Sequence, residues 1–233
     1  MLAGGFGDFL SCGCVMVGLT VVGLLVWQLI LAQKRRLESD WKLLANRMGL
    51  EYGEPEPNDG GMAMPVLGGE YRGREVSVAV RSGQNLDVHD PGDMINCYKR
   101  MAEGRTGPVV VRVSAALEGR PGEWLVAADR QYHDELVAKS GDLPGRVWMV
   151  GGRDFDSAVR ARSSSPDFAG DVFGTPELLE KLTAVLEPAS KALLVVGPSS
   201  VCWESKVTGS SADTLTVAVD TVCDLADAAE SSS

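Results

Sequence analysis

The sequence predicts an α+β protein in which an N-terminal transmembrane helix runs on into a juxtamembrane helix. A mainly antiparallel sheet with two or three helices should follow. Three observations lead there. Residues 9–32 carry no charge. Residues 66–80, 108–116 and 191–207 carry short apolar runs separated by turn signals. Helix signals are confined to a few places, without the regular strand–helix alternation of a doubly wound sheet.

The uncharged run comes first. Only Ser11, Thr20 and Gln28 are clearly polar within it. A helix of that length spans about 36 Å at 1.5 Å per residue, enough for a hydrocarbon core of about 30 Å. A cleaved signal peptide fits less well. The start, MLAGGFGD, has no Lys or Arg, the apolar stretch is too long, and Lys34, Arg35 and Arg36 follow it directly. Those three lie on the C-terminal side, while Asp8 is the only charge before the run. The positive-inside rule therefore places the N-terminus outside and the C-terminal part in the cytoplasm, at the inner (plasma) membrane. Trp27, Lys34, Arg35 and Arg36 are the expected membrane-interface residues. Cys12 and Cys14 fall near the outer face, one residue apart, a spacing that strains an internal disulfide. A bond between two chains and no bond at all both stay open. Cys14 and Gly18 form a small-xxx-small pair that permits close helix packing, so a homo-oligomer is allowed without being required.

Residues 33–49 read as an amphipathic continuation. Leu37, Trp41, Leu44, Ala45 and Met48 recur at helical spacing, and Gly49 stands at the stop. The soluble domain is expected over residues 50–229, after a short segment at 1–8 and before a disordered tail at 230–233. Residues 1–49 hold five basic and three acidic side chains, a net of +2, whereas residues 50–233 hold seventeen and twenty-nine, a net of -12. The whole chain, at -10, is too acidic to bind nucleic acid through a broad basic surface. Five cysteines in 233 residues do not make a disulfide scaffold.

Within the domain, residues 54–61 read as an acidic loop. Tyr71-Arg72-Gly73-Arg74 is the turn of a hairpin whose second strand alternates Val76, Val78 and Val80 with smaller or polar neighbours. Residues 108–116, 123–128, 147–150 and 157–162 read as further strands. Thr175 should cap a helix over 175–186, with Pro176 in its first turn and Leu178, Leu179, Leu182 and Leu186 on its buried face. A late hairpin spans 191–207, and residues 215–229 suit a closing helix.

The chemistry-bearing residues are sparse. His89 stands among Asp87, Asp90 and Asp93, types that ligate divalent metals, but Asp90-Pro91-Gly92 reads as a solvated turn. His133 begins an internal HDEL, which carries no address away from a C-terminus. Asp154 and Asp156 flank Phe155. That pair would suit acid–base work if one acid were desolvated, although a core phenylalanine between two solvated acids explains it more simply. Cys97 precedes Tyr98 and Lys99, and a nearby cation would favour its thiolate. With two histidines in the chain and no local signature, it lacks a partner base. Cys202 should be core. No HExxH, GxSxG, P-loop or CxxC is present, so no catalytic residue, cofactor or metal is expected.

One resemblance spans most of the chain. It rests on the membrane helix, a WxxLAxxxGL segment (Trp41, Leu44, Ala45, Gly49, Leu50), a GxYxGR hairpin (Gly69, Tyr71, Gly73, Arg74), an FD element (Phe155, Asp156) and the TPELL helix start. In this it resembles a group of uncharacterised bacterial single-pass membrane-anchored proteins of high-GC genomes. The resemblance implies a cytoplasmic α+β domain and no known activity, so no site residues carry over. The expected function is therefore non-catalytic binding or scaffolding for an unknown protein partner, with the bilayer holding the N-terminal helix. A membrane-tethered hydrolase using Asp154, Asp156 or His89, and a lipid or small-ligand sensor, are the alternatives.

Overall fold

The computed structural model describes the chain outside residues 1–4, 58–62, 82–109, 119–121, 141–145, 149–151, 187–190, 207–210 and 233. The chain divides into two units, Met1–Asp40 and Trp41–Ser233. The first holds most of helix α1 (Gly5–Met48). Among the described residues no helix is long and apolar enough to cross a membrane. The side chains of residues 9–19 on α1 lie outside the described ones.

The described residues of the second unit are α+β, built on a nine-stranded sheet in which every neighbouring pair is antiparallel. The strands are β1 (Glu51–Pro57), β2 (Ala63–Tyr71), β3 (Arg74–Arg81), β4 (Val110–Ala116), β5 (Leu125–Asp129), β6 (Arg146–Trp148), β7 (Val159–Ser163), β8 (Leu193–Val196) and β9 (Ser200–Lys206). Their order is β1-β2-β3-β4-β9-β8-β5-β7-β6. The first four strands form a meander. The chain then skips two places before β5, and the late hairpin β8–β9 fills that gap. Among the described residues the unit also holds helices α2 (Arg130–Ser140), α3 (Gly152–Ala158), α4 (Pro166–Val172), α5 (Pro176–Val185) and α6 (Ala212–Ser231).

The register explains the layers. Leu67, Val78, Val113, Trp203, Leu194, Ala127 and Ala161 form one row across the sheet, and all are buried. The Trp203 indole N–H donates to Val185 O of α5 (3.0 Å). α6 packs on β4, β8 and β9, with α4 and α5 beside it. On the opposite face Val126, Ala128, Leu193, Val195 and Cys202 pack against Tyr132 and Leu136 of α2. β5 and β8 are thus covered on both faces, which is why they read as continuous apolar runs, LVAA and LLVV, without alternation. β7, with Arg160 and Arg162 half-exposed, keeps the alternating pattern.

Trp41, Leu44, Ala45 and Met48 are buried in this unit, as their spacing predicts. Gly49 ends α1 with φ +69°, and Leu50 N–H returns to Ala45 O (3.0 Å). The β2–β3 turn is the expected one. Arg72 and Gly73 both have positive φ (55° and 77°), as a two-residue turn matched to strand twist requires.

Several local expectations are corrected. Residues 54–57, read as a loop, belong to strand β1, which gains its pairing from β2 despite the turn-forming composition. α2, α3 and α4 were not anticipated. α2 is mean-polar and its apolar residues are few, so its periodicity is faint. Gly152–Ala158 forms the helix α3, so the strand read over 157–162 begins later, at Val159. Thr175 stands at the N-cap of α5 but makes no side-chain cap hydrogen bond. Leu179 is half-buried and Val185 is in the core instead. The closing helix starts earlier, at Ala212, where Ser211 Oγ accepts from Thr214 N–H (3.2 Å). It runs through Glu230 and Ser231, which were expected in a disordered tail. Glu230 is held there by Arg74.

Candidate functional site

Two clusters of polar side chains stand out among the described residues of the second unit. The first lies at the start of α2, which leaves the end of β5 at Asp129. This side chain is only 2% exposed. Its Oδ1 accepts from Tyr132 N–H (3.1 Å), so Asp129 caps the helix. Its Oδ2 is buried with no hydrogen-bond partner. An open cleft of about 630 Å³ runs along this end of α2 to the end of α3. Asp129, Arg130, Asp134, Glu135, Ser157 and Ala158 line it, with Gln131 and Ala138. Asp134 lies 3.9 Å from Arg130, and Glu135 binds Lys191.

His133 sits on the inner side of the same helix, 8% exposed. Its Nε2 accepts from Arg162 Nε (3.1 Å), so Nδ1 carries the proton, 3.3 Å from Asp134 Oδ1. Burial pushes the His133 pKa below its ordinary value, and the Arg162 charge adds to this. The hydrogen bond to Asp134 opposes both.

The second place joins the β2–β3 turn to α6. Tyr71 donates to Asp220 (2.8 Å), Arg72 to Asp224 and Asp227 (2.6 and 3.1 Å), and Arg74 to Asp227 and Glu230. Lys181 of α5 also reaches Asp224. The hydrogen bond to Asp220, with burial, raises the Tyr71 pKa to about 12. Burial alone would raise Asp224, but its hydrogen bonds to Lys181 and Arg72 hold the carboxyl below the usual range. The acids recur along one stripe of α6 at helical spacing, and the hairpin turn supplies the cations. A turn carrying two arginines and an acidic helix are each visible in sequence; their meeting, about 150 residues apart, is not.

The residues singled out from sequence are scattered. Trp27, Arg35 and Arg36 are exposed on α1; the Lys34 side chain lies outside the described residues, as do those of Cys12 and Cys14. His89 and Cys97 also fall outside them. Asp154 is exposed, but Asp156 is 5% exposed, so the two acids around Phe155 do not share an environment. A helix turns successive side chains by about 100°, and that is what separates them here. Phe155 packs its ring on Phe173 (5.7 Å) as a core residue. Cys202 and Cys223 are buried, and burial pushes the Cys223 thiol up to about 11. Among the described residues no group of three or more His, Cys, Asp or Glu is placed to hold a metal ion. Sequence reasoning missed Asp129 and the α2 cleft. The only signal was an Asp preceding a weakly patterned segment.

These features define a single-sheet α+β protein whose polar groups are spent mainly on joining elements to one another. No family model and no curated protein sequence matches the chain. Among solved structures, the crystal structure of the mycobacterial trehalose monomycolate transport factor A, TtfA, is similar, with a TM-score of 0.50. It is 11% identical, and the match covers 84% of this chain and 93% of that one. At that identity the likeness shows the fold alone.

Proposed function

We propose that this is a single-pass inner-membrane protein whose cytoplasmic α+β domain binds a protein partner as a scaffold or accessory factor, without catalysing a reaction. The observation that carries the reading is on α1. Val21, Val22, Leu24, Leu25, Trp27, Leu29 and Leu31 are all exposed, between 36% and 64%. At about 100° per residue they spread over more than half of the helix circumference. A helix apolar on so many sides is stable in a protein core or in lipid, not in water. Each such side chain gains about 1.5–3 kcal/mol on leaving water. They belong to the uncharged run 9–32, which Lys34, Arg35 and Arg36 follow on the side that the positive-inside rule assigns to the cytoplasm.

The partner-binding part has one support in the described residues. The described polar clusters link secondary-structure elements rather than converge on a reacting centre. Tethering raises the local concentration of the domain for any partner in the same membrane.

Protease protection tests the topology. In cells with a permeabilised outer barrier and an intact inner membrane, the C-terminal domain should resist digestion until the inner membrane is opened. Digestion before that point would overturn the cytoplasmic assignment. Release of the chain by alkaline carbonate, as for a peripheral protein, would overturn the anchor itself.

A further inference from the structure

We propose that the cleft at the start of α2 binds a cationic nitrogen, an alkylammonium or guanidinium group of the kind a lysine or arginine side chain presents. The proposal deepens the partner-binding reading and rests on it only for what carries the cation. The starting point is Asp129. Its Oδ1 is committed to the Tyr132 amide, while Oδ2 is buried and has no donor. A carboxylate oxygen removed from water without a partner is costly, and the usual remedy is a donor that arrives from outside the fold. The cleft meets Asp129.

Charge selects the sign of the ligand. Arg130 stands by Asp134, and Lys191 binds Glu135. Three acids therefore face two cations, and the uncompensated carboxylate is the buried one. A helix N-terminus by itself favours anions, but here the capping carboxylate already places a negative charge there and takes the Tyr132 amide. Ser157 Oγ donates to Asp154 O (2.7 Å), which leaves its own lone pair free to accept from an ammonium. Ala138 and Ala158 leave room for an alkyl stem, and the cleft volume exceeds what a lysine side chain needs. A cationic head in the cleft would supply the donor that Asp129 Oδ2 lacks.

The test is calorimetric titration of the full chain in lipid nanodiscs. The probes are Nα-acetyl-lysine amide and Nα-acetyl-arginine amide for a protein side chain, and spermidine for a free polyamine. Nα-acetyl-norleucine amide is the uncharged control. Saturable binding of a cationic probe and none of norleucine is expected. Asp129→Asn should weaken it by roughly tenfold or more, because asparagine keeps the cap but loses the charge. Ala138→Leu, on the exposed flank of the helix, should also abolish it by filling the cleft while the fold is kept. Binding by spermidine alone would assign the site to a free polyamine. No saturable binding by any cation, or equal binding by Asp129→Asn, would overturn the proposal. Neither result bears on protease protection, so the two readings fail separately.

Discussion

Arg74, at the first position of β3, forms a two-pronged ion pair with Glu230 in the last turn of the final helix. Nη1 donates to Oε1 at 2.8 Å and Nη2 to Oε2. The guanidinium is only 10% exposed and also bonds Asp227. The C-terminus of α6 is thereby pinned to the hairpin turn. Removing this partly buried, doubly bonded cation by Arg74→Ala should cost about 2–4 kcal/mol. Arg74→Lys should recover little, since an ammonium lacks the planar fork. Urea denaturation of the two variants measures both, and a lysine variant as stable as the wild type would remove the geometric argument.

Acid should weaken the contact between α2 and β7. The folded-state pKa of His133 is below its ordinary value near 6.5. The unfolded chain therefore binds more protons in that window. The His133 contribution is fully present above the unfolded value and is lost as pH falls through it towards the folded value. Protonation also removes the lone pair that accepts from Arg162 and sets two cations side by side. Asp224, lowered below 3.8, adds a second loss at lower pH, as pH falls through its folded value. Stability followed by denaturation from about pH 7.5 to about pH 5 should decline, and His133→Gln should flatten this part of the curve. An unchanged slope in that variant would assign the decline to other groups.

Arg112 and Glu204 face each other across β4 and β9, with Arg112 Nε to Glu204 Oε1 at 2.7 Å. The residues are 4% and 1% exposed. Deleting either partner leaves a buried charge. Glu204→Ala should therefore cost about 3–5 kcal/mol, whereas replacing both with leucine and methionine should cost far less. A double-mutant cycle by thermal unfolding separates the two outcomes. Equal losses in single and double variants would mean that packing, not charge, holds this site.

Cys202 and Cys223 should behave as inert core thiols. Both are buried, and the thiol of Cys223 is pushed up to about 11 by burial. In a variant with Cys12, Cys14 and Cys97 changed to serine, the folded protein should react with a disulfide reagent only as fast as it opens. Full reaction should appear on unfolding. Rapid stoichiometric labelling of the folded form would show that one of them is accessible.

Much of the second unit was legible wherever one face of an element is buried and the other wet. The alternation of Val76, Val78 and Val80, the stripe of Trp41, Leu44, Ala45 and Met48, and the Arg72-Gly73 turn are local patterns with local causes. Legibility failed where local preference and tertiary partner disagree. The Pro- and Glu-rich residues 54–57 become a strand because β2 is there to pair with them. α2 was hidden because its contact with the sheet rests on few side chains, chiefly Tyr132 and Leu136. The candidate site was hidden for the same reason. An aspartate before a polar segment reads as ordinary loop until the helix it caps has a sheet to lie on.

The sequence by itself determined the uncharged N-terminal run, the antiparallel α+β class and most strand positions, because these follow from periodicity and turn chemistry within a few residues. Only the tertiary structure decided the centre of the sheet. The chain leaves β4 at Ala116 and starts β5 at Leu125, yet the two strands are separated by β9 and β8, which arrive some seventy residues later. Local sequence carries no record of that insertion. It is selected because β8 has apolar residues for both faces, and in the middle of the sheet both faces are covered, by α2 and α6. The pairing of Arg72 and Arg74 with the α6 acids, and the buried orphan oxygen of Asp129, follow from the same closure. Each depends on segments that meet only when the last hairpin and helix are in place.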